Sequence, residues 1–463
     1  MVRLFRTFIP LSVVLLLASE VLLVTAALIA GAWLNPDQDP VLYLQGNGPL
    51  NMALVLISIL VGLYLQDLYT DIYVRSHRLL LQQLCIVMGA ACLVQAVVNY
   101  IDPDLRMPLH TLAPGAAIAM AGIYGWRVFF SAYLLKRVGG DRLLLVGNSL
   151  LLAHLAEHIR THPEIGVSII GLVNDDPEDA GAPRQAKYLG PLDALREIAA
   201  ATRPTRIVVG MEERRERKSF FNTLLELRYG GNIIEEAPTT FERICGRVYT
   251  RNLRPSQLIY SGEFSGRRQM ILYQTLSNTV VAVVAIAVAL PFMLIMALAV
   301  KLSSAGPILY RQKRVGMDGV PFTLYKFRSM RVDAEEGTGA VWAMKNDPRV
   351  TPVGRIIRKI RFDELPQLFN VLKGEMSIVG PRPERPEFVK AITELMPYYR
   401  QRHAVRPGIT GWAQINYEYS DTVQDSITKL EYDLYYIKHM SWSLDLYIIF
   451  HTVKTILLHR GAR

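Results

Sequence analysis

The 463-residue chain has little cysteine, and one long segment has no charged residue at all. Three cysteines give no basis for a disulfide framework or a cysteine-rich zinc site, and two of them, Cys85 and Cys92, lie within one apolar run. The nine histidines are scattered without the spacing of metal ligands. No charge occurs between Arg268 and Lys301, which excludes an ordinary solvated surface for that segment.

Apolar residues make up 51% of the chain and are concentrated in runs. Four runs in the first third are long enough to span a bilayer, which takes about 20 residues. They are Ile9–Leu34, Leu50–Gln66, Leu79–Val98 and Leu109–Leu135. The first run is longer than the apolar core of a signal peptide and has no obvious cleavage site. We therefore expect it to be retained.

The distribution of basic residues predicts the orientation of these spans. Residues 35–48 contain no Lys or Arg, whereas basic residues precede the first run, follow the second and follow the fourth. Because positive charge stays in the cytoplasm, we expect four spans with both ends there. The net charge of +10 suits anionic lipid and phosphorylated substrates. No nucleic-acid module is recognisable, so nucleic acid is not an expected partner.

Residues 139–260 alternate short apolar runs with helical patterns, which predicts a small parallel sheet of Rossmann type. The expected strands are Leu143–Val146, Val167–Val173, Ile207–Gly210 and Asn232–Glu235. The first turn lacks the glycine fingerprint of a dinucleotide site, because Ser149 and Leu152 occupy two of the three glycine positions. We expect a structural or regulatory domain with no bound cofactor. A homodimer through the N-terminal half stays open.

The charge-free segment between Arg268 and Lys301 poses a topological choice. As one helix it would run about 48 Å, beyond a hydrocarbon core of about 30 Å. A crossing would carry the basic residues after Lys301 to the outer side, against the charge rule. Pro291 removes one helix hydrogen bond and favours a bend. We expect a re-entrant helix over about 270–300 that breaks near Leu290-Pro291, rather than a fifth span.

Two adjacent carboxylates, Asp363 and Glu364, lie in one of the most basic parts of the chain. The apolar run that follows them stops at Lys373-Gly374, a helix-stop signal. One interpretation is a helix cap and a first-turn acid, each stabilising the helix by about 1 kcal/mol. The other is a phosphate-handling site, where a carboxylate attacks phosphorus or holds a metal. The nearby basic residues are Arg355, Arg358, Lys359, Arg361 and Arg382.

Five sequence words around this pair carry a resemblance to a known family. They are Lys326-Phe327-Arg328-Ser329-Met330, Asp347-Pro348-Arg349, Asp363-Glu364-Leu365-Pro366-Gln367, Gly380-Pro381-Arg382-Pro383 and Arg406-Pro407-Gly408-Ile409-Thr410-Gly411-Trp412. In this order they resemble the bacterial sugar transferases, which are polyprenyl-phosphate glycosyl-1-phosphate transferases of exopolysaccharide biosynthesis. The N-terminal half resembles the long form of that family.

The resemblance implies three parts. Residues 1–138 would form a membrane α-helical bundle of four spans, and residues 139–260 an α/β Rossmann-like domain with degenerate nucleotide-binding features. Residues 268–463 would form an α+β monotopic phosphoglycosyl transferase domain anchored by the re-entrant helix. The expected location is the bacterial inner membrane, with the catalytic domain on the cytoplasmic face.

The resemblance also implies a reaction and its residues. A sugar 1-phosphate passes from a UDP-sugar to polyprenyl (undecaprenyl) phosphate, and UMP is released, which starts an exopolysaccharide repeat unit. Asp363 matches the nucleophile that forms an aspartyl-phosphosugar intermediate, and Glu364 matches the ligand of Mg²⁺. The family's phosphate-binding positions match Lys326, Arg358 and Arg382, and the further phosphate- or substrate-binding candidates are Arg328, Arg361 and Arg406.

Two other classes are weighed against this one. A membrane-tethered nucleotide-sugar dehydratase also joins four spans to a Rossmann unit, but it needs an intact glycine fingerprint and a Tyr-x-x-x-Lys pair, and neither occurs in that context. A non-catalytic scaffold of polysaccharide export would have no reason to keep an acid pair beside so many cations. The sequence does not identify the sugar, so glucose, galactose and N-acetylated sugars stay open.

Overall fold

The structure is a computed structural model that describes most of the chain. The described residues are 2–4, 7–9, 11–36, 39–69, 72, 74, 76–102, 105, 107–134, 141–176, 183, 186–210, 218–252, 268–332, 334, 349–417 and 422–458. They form two compact units, with the main boundary after Thr240 and with Thr7, the first residue of the second strand, assigned to the second unit. The three-part division into 1–138, 139–260 and 268–463 stays a prediction.

The first unit begins with a small two-stranded sheet and a bundle of apolar helices. The strands are β1 (Val2–Leu4) and β2 (Thr7–Ile9), and the helices are α1 (Leu11–Trp33), α2 (Pro40–Gln45), α3 (Gly48–Leu65), α4 (His77–Ile101) and α5 (Leu109–Phe129), which a π-helical turn extends over Phe130–Leu134. Four of them coincide with the predicted spans and are long and apolar enough to cross a membrane. The short α2 is not predicted by the apolar pattern, and Asp39 caps it by accepting a hydrogen bond from Val41 N at 2.8 Å.

An ion pair lies buried inside this bundle. Arg127 Nε is 2.7 Å from Glu20 Oε1, and the two side chains are 3% and 0% exposed. Arg127 Nη1 also donates to the carbonyl of Leu68, and the Tyr69 hydroxyl donates to Glu20 Oε2. Ionised groups among apolar helices persist only with such partners. The pair therefore ties α1 and α5 to the segment that follows α3.

The first unit ends in a five-stranded parallel sheet in the order β5-β4-β3-β6-β7. The strands are β3 (Asp141–Val146), β4 (Val167–Val173), β5 (Tyr188–Gly190), β6 (Arg206–Val209) and β7 (Ile233–Glu236), and the helices are α6 (Leu150–Thr161), α7 (Leu195–Thr202) and α8 (Lys218–Tyr229), with 3₁₀ turns at Pro163–Ile165 and Leu192–Ala194. The predicted parallel sheet is confirmed. The three-residue β5 is too short for periodicity to predict, and the Rossmann class stays a prediction.

The second unit combines one long helix with short strands and helices. Its helices are α9 (Ala237–Cys245, whose first four residues belong to the first unit), α10 (Arg268–Ser303), α11 (Pro352–Lys359), α12 (Gln367–Leu372), α13 (Pro386–Leu395), α14 (Trp412–Asn416), α15 (Val423–His439) and α16 (Trp442–Leu457). The strands β8 (Leu309–Val315) and β9 (Pro321–Phe327) form an antiparallel hairpin, whereas β10 (Ser377–Val379) and β11 (Gly408–Thr410) pair in parallel. The 3₁₀ turns are Thr250–Asn252, Met317–Gly319, Phe362–Glu364 and Pro397–Ala404.

Helix α10 packs against the rest of the second unit near its start, in its middle and near its end. Near its start, Gln274 Nε2 donates to Tyr436 Oη and to Asp445 Oδ2, each at 2.8 Å. In its middle, Ala282 is fully buried in a cluster with Leu324. Its last turns pack on that unit as well, through a cluster that joins Met293 and Val300 to Phe327 and Ile357.

The helix is continuous through Pro291, so the predicted break near Leu290-Pro291 is not seen. The physical reason is that proline removes a single backbone hydrogen bond, whereas the packing of Met293 and Val300 holds the following turns in place. The opposite face of α10 is apolar and exposed, with Val284 at 58% and Leu298 at 61%. The helix is long and apolar enough to cross a membrane. Its re-entrant path stays a prediction.

Candidate active site

The acid pair occupies a 3₁₀ turn, Phe362–Glu364, between α11 and α12. The turn is entered through Arg361, whose φ of 59° lies in the left-handed region. For a residue with a side chain this conformation costs about 1–2 kcal/mol. Helix α12 starts only at Gln367, and no side chain caps the turn. The helix-cap interpretation of Asp363 is therefore wrong, while the predicted stop holds, because Gly374 follows α12 with φ +76°.

Glu364 is buried and bound by two cations. Its Oε1 accepts a hydrogen bond from Lys326 Nζ at 2.9 Å and another from Arg382 Nη2 at 2.7 Å. Burial by itself would raise the pKa of Glu364, but Arg382 and Lys326 outweigh it and hold that pKa far below its usual range. Glu364 is therefore a permanent anion at neutral pH.

Asp363 is equally buried, at 8% exposure, but it is not committed to a partner. Its carboxylate forms no hydrogen bond or ion pair with any residue in the described part of the chain. Burial raises its pKa above the usual value and the neighbouring Glu364 adds to the rise, while Lys326, Arg358 and Arg361 oppose it. Cations thus neutralise the carboxylate of Glu364, whereas the carboxylate of Asp363 lies beside them without a hydrogen bond from a described residue.

The predicted cations fall into two groups by position. Lys326, near the end of β9, and Arg382, between two prolines, contact Glu364 directly. Arg358 on α11 and Arg361 act on Asp363 through their charge. Arg358 is half-buried, and its side chain makes no hydrogen bond or ion pair within the ranges the structure describes. The structure therefore brings Lys326, Arg358, Arg361 and Arg382 together around the acids.

Two further candidates lie elsewhere. Arg328 is 5% exposed, and its guanidinium donates to the carbonyls of Val300, Ser304 and Ala305 at the end of α10. In this structure its Nη atoms cap that helix and do not contact the acid pair, and its role at phosphate stays a prediction. Arg406 donates to Thr275 Oγ1 on α10. Of the family word Asp347-Pro348-Arg349, the first two residues lie outside the described residues.

Asn370 links α12, the helix that follows the acid turn (the 3₁₀ turn Phe362–Glu364), to β9, the strand that carries Lys326. It is fully buried on α12, accepts a hydrogen bond from Tyr325 N at 3.2 Å and donates to the carbonyl of Thr323 at 2.7 Å. The sequence reasoning missed this residue. The available signal is one amide within the apolar run Leu368–Leu372, since a polar residue on a buried face needs a specific partner.

A divalent cation at this site would depend on the two adjacent carboxylates. Within the described residues no group of three or more His, Cys, Asp and Glu side chains could hold a metal ion. Mg²⁺, however, is commonly bound through one or two carboxylates together with substrate phosphates and water. Glu364 Oε2 receives no hydrogen bond from a described residue, and Asp363 is adjacent in sequence. Two carboxylates at a phosphate site fit that requirement.

In the parallel sheet of the first unit, residues at the positions of a dinucleotide site are hydrogen bonded within the protein. Ser149 Oγ accepts a hydrogen bond from Leu152 N and so caps α6, and Ser149 N donates to the carbonyl of Gly210. Asp175, at the end of β4, accepts a hydrogen bond from Leu192 N at 3.1 Å. Ser149 and Asp175 therefore each have a hydrogen-bonding partner within the protein.

The part of the chain that contains the acid pair is similar to known proteins. A sequence model of the family described as bacterial sugar transferase matches residues 269–459. A UDP-N-acetylgalactosamine-undecaprenyl-phosphate N-acetylgalactosaminephosphotransferase from Aeromonas hydrophila is 45% identical over 222 residues, which is 48% of this chain and 52% of the relative. The chain thus spans about half the length of that relative.

Two relatives are named UDP-glucose:undecaprenyl-phosphate glucose-1-phosphate transferase. The one from Escherichia coli K12 is 36% identical over 312 residues, which is 66% of each chain. The one from Xanthomonas campestris pv. campestris is 34% identical over 351 residues, which is 73% of this chain and 70% of the relative. The similarity therefore extends beyond the part that carries the acid pair.

Proposed function

Because the chain belongs to the bacterial sugar transferase family, we propose that it transfers a sugar 1-phosphate from a UDP-sugar to undecaprenyl phosphate and releases UMP. The observation that carries the proposal is the state of Asp363, a buried carboxylate that no described residue hydrogen bonds, beside Lys326, Arg358 and Arg361. An ionised carboxylate can attack phosphorus directly, and cations stabilise the charge that develops on the phosphoryl group.

The proposed reaction has two steps at one phosphorus atom. In the first, a carboxylate oxygen of Asp363 attacks the sugar-bearing phosphorus of the UDP-sugar. An acyl-phosphate bond forms, the bond to the bridging oxygen breaks, and UMP leaves with the bonding electrons. In the second, an oxygen of the lipid phosphate attacks the same phosphorus and displaces the Asp363 carboxylate. Neither step needs a net proton transfer, since all leaving groups depart as anions.

The surrounding cations would stabilise the charge on the transferring phosphoryl group. Lys326 and Arg382 converge on Glu364, while Arg358 and Arg361 act on Asp363, so the four charges surround the position of attack. Planar arginines grip phosphate oxygens in pairs, whereas lysine acts as a point charge. We assign Mg²⁺ to Glu364, whose Oε2 faces no donor among the described residues. When bound, the ion supplies further neutralisation of the pyrophosphate.

We place the second unit at the cytoplasmic face of the bacterial inner membrane. Helix α10 contacts this unit at its start, middle and end, so a complete crossing would draw Leu324 and Phe327, which flank Lys326, into the hydrocarbon. Burying the polar groups of β9 there is too costly. This supports a helix that stays on one side with its exposed apolar face in lipid. Labelling of a Ser303→Cys variant from the outer side would contradict it.

The experiment that tests the proposed function uses membranes containing the full chain, Mg²⁺ and undecaprenyl phosphate. UDP-glucose, UDP-galactose, UDP-N-acetylglucosamine and UDP-N-acetylgalactosamine are supplied in turn, and UMP is measured. We expect one donor to release UMP steadily with the lipid acceptor. Without the acceptor, we expect only a burst that is stoichiometric with the enzyme. If the chain is folded and no donor yields UMP, the proposed function is wrong.

A further inference from the structure

The segment Pro381–Glu384 carries Arg382 to the acid pair, although it belongs to no helix or strand. Each of its four carbonyls is nevertheless bound from outside. The carbonyls of Pro381 and Glu384 accept hydrogen bonds from the backbone N–H groups of Gly408 and Val315. The carbonyl of Pro383 accepts from Arg314 Nη1 at 3.0 Å. The segment is therefore fixed by contacts that its own sequence does not supply.

The fourth carbonyl, that of Arg382 itself, is held by a buried arginine. Arg402 Nη2 donates to it at 2.9 Å. The same guanidinium is paired with Asp433 on α15, with Nη2 at 2.8 Å and Nε at 3.1 Å from Asp433 Oδ2. The side chains are 5% and 3% exposed. One chain of contacts thus runs from Asp433 through Arg402 to the backbone of Arg382, whose side chain meets Glu364.

A buried ion pair is weak support for stability, because desolvation consumes most of the attraction. Burial raises the pKa of Asp433 to about 6 in spite of Arg402, which indicates that the pair stays costly. The pair instead fixes the orientation of the Arg402 guanidinium. Arg402 is anchored by Asp433 and by the hydroxyl of Tyr399, so its Nη2 is directed at one carbonyl, that of Arg382.

We propose that Arg402 and Asp433 are a positioning pair for the transfer reaction, which fixes the main chain of Arg382 so that its guanidinium meets Glu364. This inference rests on the proposed function. Arg382 is the residue through which the pair acts, because neither Arg402 nor Asp433 hydrogen bonds to the acids. A displacement of about 1 Å at a positioned group can lower the rate of an enzyme about 100-fold.

A matched control lies two residues away on the same helix. Glu431 is a buried carboxylate, 5% exposed, and it pairs with Arg247 and accepts hydrogen bonds from Thr250 in the segment before α10. Positions two apart on a helix face different sides. Glu431 therefore resembles Asp433 in burial and pairing, but none of its contacts leads to Arg382.

The test compares Asp433→Asn with Glu431→Gln in the full-length enzyme, by thermal unfolding and by kcat and KM from UMP release. We expect both variants to unfold at lower temperature. We expect kcat to fall about 10- to 100-fold for Asp433→Asn and to stay within about twofold for Glu431→Gln. Equal losses of kcat would overturn the inference. A wild type that releases no UMP would instead remove the proposed function.

Two further variants separate positioning from simple damage. Arg402→Lys keeps the charge pair with Asp433 but cannot donate in the same directions, so we expect a folded enzyme with reduced kcat. Full kcat in this variant would overturn the inference even if Asp433→Asn fails to fold. In an Arg382→Lys background, the Arg402→Lys change should cost no more than about twofold, since both act through one residue. Losses that multiply would also overturn it.

Discussion

The parallel sheet of the first unit and the acid turn of the second both carry aspartates where a phosphate compound could bind, and they treat them in opposite ways. Asp175 is exposed at a strand end, and Leu192 N occupies its carboxylate. Asp363 is buried and has no hydrogen bond from a described residue. The first arrangement is satisfied without a ligand. The second leaves the Asp363 carboxylate without a hydrogen bond from the described residues, so none of them has to be displaced before it reacts.

The contrast extends to the groups around each aspartate. In the sheet, Ser149 caps α6 and Leu152 packs against Gly210, where an added Cβ would come within 2.6 Å of Leu152 Cγ. The space that glycines would open for a pyrophosphate is thereby filled. In the acid turn, two cations neutralise Glu364 while Arg358 stays without a partner in the described residues. The two sites therefore differ in their hydrogen bonds: Ser149 and Asp175 in the sheet have protein partners, whereas no described residue hydrogen bonds to the Asp363 carboxylate.

The largest expected effect comes from exchanging the carboxylates for amides at both places. Asp363→Asn removes the nucleophile, so we expect UMP release to fall by about four orders of magnitude. Asp175→Asn keeps an acceptor for Leu192 N, so we expect unchanged turnover and a loss of at most about 1 kcal/mol in the free energy of unfolding. Turnover and thermal unfolding are measured on both. An active Asp363→Asn enzyme would remove the assigned nucleophile.

A smaller effect is expected from the lysine that contacts Glu364. Lys326→Gln removes a cation from the site, and we expect turnover to fall about 100-fold. The control is Lys313→Gln on the other strand of the same hairpin. Lys313 is exposed and pairs across the strands with Thr323, so its side chain lies on the opposite face. We expect its turnover to stay near that of the wild type, and similar losses in both would argue against a local role of Lys326.

The pH dependence gives a finer measure of the same charge. Burial raises the pKa of Asp363, and Lys326 is the largest influence that opposes the rise. Because Asp363 has to be ionised to attack, activity is lost as the pH falls through this raised pKa, above the ordinary value of about 3.9. Removing Lys326 raises the pKa further. We therefore expect the acid limb of the UMP burst to move to higher pH in Lys326→Gln and to stay in place in Lys313→Gln.

A shift of the limb in the opposite direction would contradict this reading of the site. The titration of the substrate phosphates does not confuse the comparison, since it is the same for every variant. Measuring the first half-reaction without lipid acceptor also keeps the second phosphate out of the profile.

The sequence predicts well what depends on local pattern. Apolar runs of the right length give α1, α3, α4 and α5, and the strand Val167–Val173 is predicted to the residue. The predictions are poorer where a side chain chooses a distant partner. Arg328 belongs to a word full of cations, yet it caps α10, because only the folded chain brings those carbonyls near it. The periodicity of apolar residues does not indicate which distant groups a side chain will contact.

The same limit applies to the acid pair, whose position can be predicted from sequence but whose environment cannot. The family words locate Asp363 and Glu364, but their burial and unequal neutralisation depend on Lys326 and Arg382, 38 and 18 residues away from Glu364. Asn370 and Arg402, which hold the supporting segments, stand in no recognised word. Their contribution becomes visible only through the hydrogen bonds that they make in the fold.

The smallest expected effect is that of a dinucleotide on the unfolding temperature, which tests the parallel sheet of the first unit. A ligand of the folded state at about 100 times its dissociation constant raises the free energy of unfolding by about 2.7 kcal/mol. Because Ser149, Leu152 and Asp175 are already satisfied, we expect NAD⁺ to leave the unfolding temperature of the full chain unchanged. The donor UDP-sugar with Mg²⁺ should raise it, and Lys326→Gln should weaken that rise. If NAD⁺ raises the unfolding temperature and still does so in Lys326→Gln, a dinucleotide binds at the turn between β3 and α6, which would contradict this expectation.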